Sequence, residues 1–96
     1  MYLIVTRAFP PELGGMQSLM WGLTKEMSKI FMVKVFADYQ EKHKEFDGKE
    51  NFSIERVGGI KFLRKIRKAQ LINEFLKENK VEGIIADHWK SLELIK

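Results

Sequence analysis

The sequence has no cysteine, so disulfide bonds and thiolate chemistry are excluded. Its two prolines are adjacent, Pro10 and Pro11, and no apolar run approaches the ~20 residues that span a bilayer. The N-terminus has no basic segment followed by an apolar core, which is the pattern of a secretory signal. We therefore expect a cytoplasmic protein whose contact with a membrane, at its inner face, is peripheral at most.

What is present is an ordinary globular composition in a short chain. The 96 residues and 11.3 kDa allow one domain at most, and 45% hydrophobic with 31% charged residues is typical of a folded domain. The formal net charge is +4, which permits an anionic partner. Charge alone does not distinguish a nucleotide from a lipid surface or a nucleic acid.

A loop with prolines and glycines follows the first apolar run, residues 2–6. Pro10 and Pro11 stiffen this loop, whereas Gly14 and Gly15 allow a tight turn and a close approach of the backbone just before an amphipathic segment. The first turn of a helix has N–H groups without partners and a partial positive charge. The pattern therefore predicts an anion-binding loop, and the plainer alternative is a turn without a ligand.

Apolar periodicity predicts strands that alternate with helices. The predicted strands are at about 2–6, 32–37, 52–57 and 81–86, and a helix begins near Met16. Trp21 lies off the main apolar stripe of that helix, so it covers either a sheet edge or another domain. The polar stretch 38–51 is predicted to be a loop in which His43 is solvated.

The segment 60–80 has helical spacing but two apolar faces. Its apolar residues before position 70 cluster on one side of a helical wheel, and those after it cluster on another. One straight helix cannot bury both sides. We therefore predict a regular helix from Arg67 to about Asn79 and a separate turn or short helix over 60–66.

The order of these elements predicts an α/β fold, a Rossmann-like three-layer sandwich with a mainly parallel sheet. If the strand order is 3-2-1-4, a ligand binds outside the carboxyl ends of the first and fourth strands, where the order reverses. Gly14 and Gly15 follow the first of these strands, and Asp87 and His88 follow the other. We expect these two segments to face one crevice.

The same residues also resemble a known family. The run from Leu3 to Thr6, followed by Phe9-Pro10-Pro11 and Gly14-Gly15, looks like the start of the GT-B-fold glycosyltransferases of family 4. The stretch from Phe75 to Trp89 is similar to the helix, lysine-rich turn, apolar strand and strand-end histidine of that family. The resemblance covers essentially the whole chain, although 38–66 carries no diagnostic motif.

The resemblance implies that residues 1–96 are the first half of the N-terminal Rossmann-like domain of a retaining glycosyltransferase. Gly14 and Gly15 match the glycines that approach the donor diphosphate, and Gln17 matches a position beside them. His88 matches a histidine that contacts the donor sugar near its reacting carbon, which makes it the catalytic candidate. The implied substrates are a nucleotide-sugar donor and a saccharide or lipid-linked acceptor, with no cofactor and no metal.

Two departures from the family pattern stand out. The family often has two histidines flanking a small residue at the strand end, whereas this chain has Ala86-Asp87-His88. Asp87 is then either an acidic partner for His88 or a cap for the next helix. The C-terminal domain, which supplies paired glutamates and basic residues to the donor, cannot fit in this length, so we expect negligible transferase activity from the chain alone.

Two other classes of function stay open. A dinucleotide-binding domain would place a ribose-binding acid at Asp38, but the loop lacks the G-x-G-x-x-G spacing. A non-catalytic α/β interaction module fits the short length. The basic run 61–68 is either a solvated helix face or a peripheral membrane contact. Nucleic acid is not an expected partner, because no aromatic platform accompanies the charge.

Overall fold

A four-stranded, all-parallel sheet with the strand order β3-β2-β1-β4 forms the centre of the molecule. The computed structural model describes residues 1–11, 13–88, 92 and 95. In chain order the elements are β1 (Tyr2–Val5), α1 (Gly15–Ser28), β2 (Val33–Asp38), α2 (His43–Lys49), β3 (Ser53–Val57), α3 (Lys61–Glu78) and β4 (Gly83–Ala86). The α/β class and the three-layer arrangement expected from the sequence are confirmed, and the strand order 3-2-1-4, on which the expected crevice was conditional, is the one observed.

The central strand β1 is apolar throughout because both faces of the sheet are covered. Its residue Ile4 pairs with Val35 of β2 on one side and with Ile85 of β4 on the other. Leu3, Ile4 and Val5 are completely buried. Alternate residues of a strand point to opposite faces, so these three side chains contribute to two separate cores.

One core lies between the sheet and helices α1 and α2, and the other lies beneath α3. The first is formed by Ile4, Phe9, Met20, Val33, Val35, Ala37 and Phe52. The second is formed by Leu3, Val5, Phe36 and Ile72. Because the two crossovers, β1 to β2 and β3 to β4, run in opposite directions across the sheet, their helices cover opposite faces.

Residues 38–51 contain the helix α2, so the loop predicted there is wrong in part. This helix has seven residues, too few to be stable alone, and packing holds it in place. The ring of Phe46 lies 6.0 Å from the ring of Phe9 and 5.8 Å from that of Trp21. His43, predicted to be solvated, is half-buried, and its Nδ1 lies 3.0 Å from Oδ2 of Asp47.

Trp21 packs against α2 and the residue that follows it. Its indole Nε1 donates a hydrogen bond to the carboxylate of Glu50 at 2.9 Å, and its ring packs against the first core. Trp21 is thus partly buried by contacts within this chain. By contrast, Leu19 and Leu23 on α1 are exposed, at 62% and 38%.

Helix α3 is continuous from Lys61 to Glu78, so the predicted break before Arg67 is wrong. The pattern was misleading because the apolar face before position 70 is not buried as a whole. Ala69 of that face is buried together with Ile72 of the other face, whereas Phe62 and Leu63 remain 72% and 56% exposed. No helix among the described residues is long and apolar enough to cross a membrane. Leu92, Leu94 and Ile95 also predict the start of a further helix, but this segment falls largely outside the described residues.

Candidate functional site

A cleft of about 480 Å³ opens at the carboxyl edge of the sheet. The residues that follow β1, β2 and β4 line it, together with the first turn of α3 and Met16 of α1. This is the edge at which open parallel sheets bind ligands, and the cleft lies where the strand order reverses between β1 and β4. The expected crevice is therefore present.

The segments after β1 and β4 meet directly in this cleft. The backbone N–H of Arg7 donates a hydrogen bond to Oδ2 of Asp87 at 3.2 Å. The N–H of Asp87 donates to the carbonyl of Val5 at 3.3 Å, which extends the strand pairing by one residue. Asp87 thus joins the two segments, a role that neither of its predicted alternatives included, and the exposed His88, which follows it, also lines the cleft.

The glycine pair lies at the start of α1, next to the cleft. Gly14 is the N-cap of α1 and has no side chain that could cap the helix, and the first turn has no acidic residue. Both glycines are exposed, but they are not among the lining residues, whereas the following Met16 is. The structure therefore places Gly14 and Gly15 beside the cleft that His88 lines.

Space around the two glycines differs. A Cβ added at Gly14 would overlap the carboxamide of Gln17, which lies against the loop backbone, whereas a Cβ at Gly15 would meet nothing within 4 Å. Gln17 is half-buried and does not line the cleft. Gly15 is thus the position at which a ligand could approach the backbone without displacing a side chain.

Arg56 anchors the proline loop to the rest of the fold. Its guanidinium donates to the carbonyl of Pro10 and to the carbonyl of Asp38. It also makes two hydrogen bonds with the carboxylate of Asp47, at 2.8 and 3.2 Å. The side chain is only 4% exposed, and the ring of Phe9 lies beneath it at 5.8 Å. This network fixes the loop that leads to the glycine pair.

The floor of the cleft contains a carboxylate held between two cations. Nζ of Lys68 lies 2.6 Å from Oδ1 of Asp38, an ion-pair contact that falls outside hydrogen-bond geometry. Nε of Arg64 lies 3.4 Å from Oδ2 of the same carboxylate. A ribose hydroxyl would have to compete with both cations for Asp38, which disfavours the dinucleotide-binding alternative.

The cleft wall carries more positive than negative charge. Arg7, Lys61 and Arg64 line it, against the two carboxylates of Asp38 and Asp87. Lys68 adds a further cation behind Asp38. Because low-dielectric walls concentrate the field, such a cleft attracts an anionic ligand.

Three basic residues of the cleft were missed by sequence reasoning: Arg7, Lys61 and Arg64. The positions of Lys61 and Arg64 could have been used to find them, because the first residues of a helix that follows a parallel strand lie at the carboxyl edge of the sheet. The role of Arg56 could not be found, because nothing in its sequence neighbourhood predicts a bond to Pro10.

Comparison with known proteins gives no assignment: no protein-family model matches the chain, and no curated protein matches it significantly. Among the described residues, no group of three or more acidic or histidine side chains could hold a metal ion.

Proposed function

We propose that this chain forms one wall of a nucleotide-sugar site, as the first half of the N-terminal domain of a retaining GT-B-fold glycosyltransferase of family 4. The observation that carries the proposal is the contact between the segments after β1 and β4, the 3.2 Å hydrogen bond from Arg7 to Asp87. It brings the neighbourhood of the glycine loop and the strand-end His88 to one cleft.

The charge of the cleft suits the phosphate end of such a donor. The N–H groups at the start of α1, near Gly15, would bind diphosphate oxygens, with Arg7 and Lys61 adding charge from the cleft wall. These groups would stabilise the negative charge that develops on a departing diphosphate. Electrostatic stabilisation of the transition state is usually the largest single contribution to catalysis. This chemistry requires no metal ion from the chain.

His88 would contact the donor sugar in this arrangement. It is exposed on the cleft wall, directly after the residue that fixes β4 to the loop, so its imidazole is presented to a ligand by a rigid strand end. Gln17 would act beside the loop, through its contact with Gly14. The acceptor is a saccharide or a lipid-linked saccharide, bound where the donor sugar meets solvent.

The coding sequence after Lys96 tests the proposal. A following α/β domain with a pair of glutamates supports the transferase, whereas a stop codon with no further domain supports the alternative of a non-catalytic interaction module. A turnover assay adds a second criterion. The purified chain alone should consume no nucleotide sugar, because the groups that bind the nucleotide belong to the second domain. Sustained turnover by the chain alone would contradict the assignment of these groups to that domain.

A further inference from the structure

Tyr39 is an exposed aromatic residue on the wall of the cleft. It directly follows β2, lines the cleft and is 55% exposed. Phe9 lines the same cleft but is only 2% exposed, because its ring belongs to the first core. Tyr39 is a member of neither core. The fold therefore presents at the cleft an aromatic side chain that it does not use for its own packing.

The neighbours of Tyr39 hold it in position. Its backbone N–H donates a hydrogen bond to the carbonyl of Val57 at 2.8 Å, which extends the pairing of β2 with β3. Gly58 lies against its side chain, since a Cβ added at Gly58 would be 3.2 Å from Cβ of Tyr39. The ring of His43 meets the ring of Tyr39 edge to face, with the two centroids 5.3 Å apart.

His43 is itself held by a network of charged side chains. Its Nδ1 lies 3.0 Å from Oδ2 of Asp47, and the same oxygen accepts a hydrogen bond from Nε of Arg56 at 3.2 Å. None of these three side chains is more than 20% exposed. The helix α2 thus fixes the ring that packs against Tyr39. An exposed aromatic residue oriented by largely buried contacts is typical of a preorganised binding group.

The surroundings of Tyr39 favour a sugar ring as the group that stacks on it. One face of a pyranose consists of C–H groups, which pack on the negative face of an aromatic ring, whereas its hydroxyl groups require hydrogen-bond partners. Lys61 and Arg64 line the same cleft and are donors. A guanidinium has five N–H donors, so Arg64 can bind a hydroxyl while its Nε stays beside Asp38. The cleft therefore offers both kinds of contact that a saccharide needs.

The sheet separates Tyr39 from the proposed position of the donor sugar. Tyr39 follows β2 and His88 lies just after β4, and these two strands flank β1. Neighbouring strands lie about 4.8 Å apart, so the carboxyl ends of β2 and β4 are about 10 Å apart. This separation accommodates two sugar rings side by side. A ring on Tyr39 would therefore lie next to a donor sugar at His88 and not in its place.

We propose that Tyr39 binds a pyranose ring by stacking, and that His43 is its positioning residue. If the proposed transferase function holds, on which this step rests, the stacked ring belongs to the acceptor. The acceptor is then a pyranoside, whether free or lipid-linked, that presents a C–H face to Tyr39. Binding of the ring itself needs neither the donor nor a second domain.

An NMR titration of the 15N-labelled chain with methyl β-D-glucopyranoside tests the proposal without any nucleotide. We expect saturable shifts of the amides of Tyr39 and Gly58, and transfer of saturation from aromatic protons of the chain to the C–H protons of the sugar. Sorbitol is the control, because it carries hydroxyl groups but no rigid C–H face, and it should give no saturable shift. Absence of shifts with the glucoside, equal shifts with sorbitol, or shifts with uridine in place of the glucoside would overturn the proposal.

Two substitutions of Tyr39 separate the ring from its hydroxyl group. Tyr39→Ala should weaken binding of the glucoside by about fivefold to tenfold, because the stacking surface is lost. Tyr39→Phe keeps the ring and should bind within about twofold of the parent chain. Both variants should keep the fold, which circular dichroism checks, because Tyr39 belongs to neither core. Equal losses in the two variants would contradict a stacking role.

A double-mutant cycle tests the positioning role of His43. His43→Ala should weaken binding of the glucoside in the parent chain but cause no further loss in Tyr39→Ala, because His43 acts through the ring. Lys44→Ala, at an exposed position of the same helix, should leave the affinity unchanged. A loss from His43→Ala that persists in the Tyr39→Ala background would contradict the positioning role.

The glucoside titration and the donor site can fail independently. If the glucoside does not bind, the stacking proposal is wrong, whereas the donor site near Gly15 and His88 is unaffected. If the glucoside binds but no nucleotide sugar does, the cleft is a saccharide site and the transferase proposal is wrong.

Discussion

The ammonium nitrogen of Lys68 lies 2.6 Å from Oδ1 of Asp38, and the two side chains are only 9% and 15% exposed. The same nitrogen donates a hydrogen bond to the carbonyl of Thr6 at 3.2 Å. Lys68 therefore ties α3 to the carboxyl ends of both β1 and β2, at the floor of the cleft. A buried cation in such a position is weak evidence for stability by itself, but its removal leaves a buried carboxylate undercompensated.

Replacing Lys68 with an uncharged residue should lower the stability of the fold. Lys68→Met is expected to lower the free energy of unfolding by about 3 kcal/mol, because Asp38 keeps only Arg64 as a partner. Urea denaturation measures the change. The control is Lys49→Met, which breaks an ion pair with Glu45 whose side chains are 73% and 84% exposed, and which should cost less than about 0.5 kcal/mol.

The double variant Lys68→Met with Asp38→Asn distinguishes charge from packing. Removing both charges should recover a large part of the loss, because the buried carboxylate no longer lacks its partner. An unchanged loss in the double variant would show that the aliphatic stem of Lys68, rather than its charge, holds α3 in place.

Arg56 should control the order of α2 and of the proline loop together. Arg56→Met removes the two hydrogen bonds to Asp47 and those to the carbonyls of Pro10 and Asp38. We expect the amides of α2 to lose protection from hydrogen exchange before those of the sheet, because α2 is too short to persist without this anchor. Arg56→Lys should restore little, since an ammonium cannot reproduce the bidentate geometry.

The control for the Arg56→Met variant is Arg67→Met, which removes an arginine at an exposed position of α3. It should leave the exchange of α2 unchanged. If α2 stays protected in Arg56→Met as well, aromatic packing around Phe46 suffices to hold α2 and the anchoring role is wrong.

A proline scan tests the continuity of α3. Arg67→Pro should cost about 3 kcal/mol, because position 67 lies inside the helix and its N–H is needed there. Lys61→Pro should be tolerated, since position 61 is the first helical residue and the preceding Ile60 already has the extended backbone that proline requires. If a helix began at Arg67, proline at position 67 would be tolerated instead. The thermal unfolding midpoints of the two variants therefore show whether α3 is continuous.

The fold was predictable because its signals are local and repeated. The apolar runs of β1 and β2 mark buried parallel strands, and alternation of strands with helices implies right-handed crossovers. The predictions for the helix α2 and the first half of α3 were wrong because tertiary structure, which a local sequence pattern does not contain, decides both segments. Tertiary contacts at Phe46 order a segment that composition describes as a loop, and solvent accommodates Phe62, which periodicity assigns to a core.

The candidate site was predictable only in outline. The order of strands placed His88 and the glycine loop at one edge, which follows from topology. The contacts that shape the cleft join residues far apart in sequence, such as Arg7 with Asp87 and Arg56 with Pro10, and no local pattern encodes them. Loops are fixed by such contacts rather than by propensity.

The most direct measurement for the central claim is a titration of the 15N-labelled chain with UDP-glucose and with GDP-mannose, followed by amide chemical shifts. We predict saturable shifts at Arg7, Gly15 and His88, with a dissociation constant of about 1 mM for one wall of the site. Gly15→Val should abolish them, whereas Gly22→Val should not, although an added Cβ meets nothing within 4 Å at either position. No saturable shift, or shifts that survive in Gly15→Val, would contradict the assignment of this cleft to a nucleotide sugar.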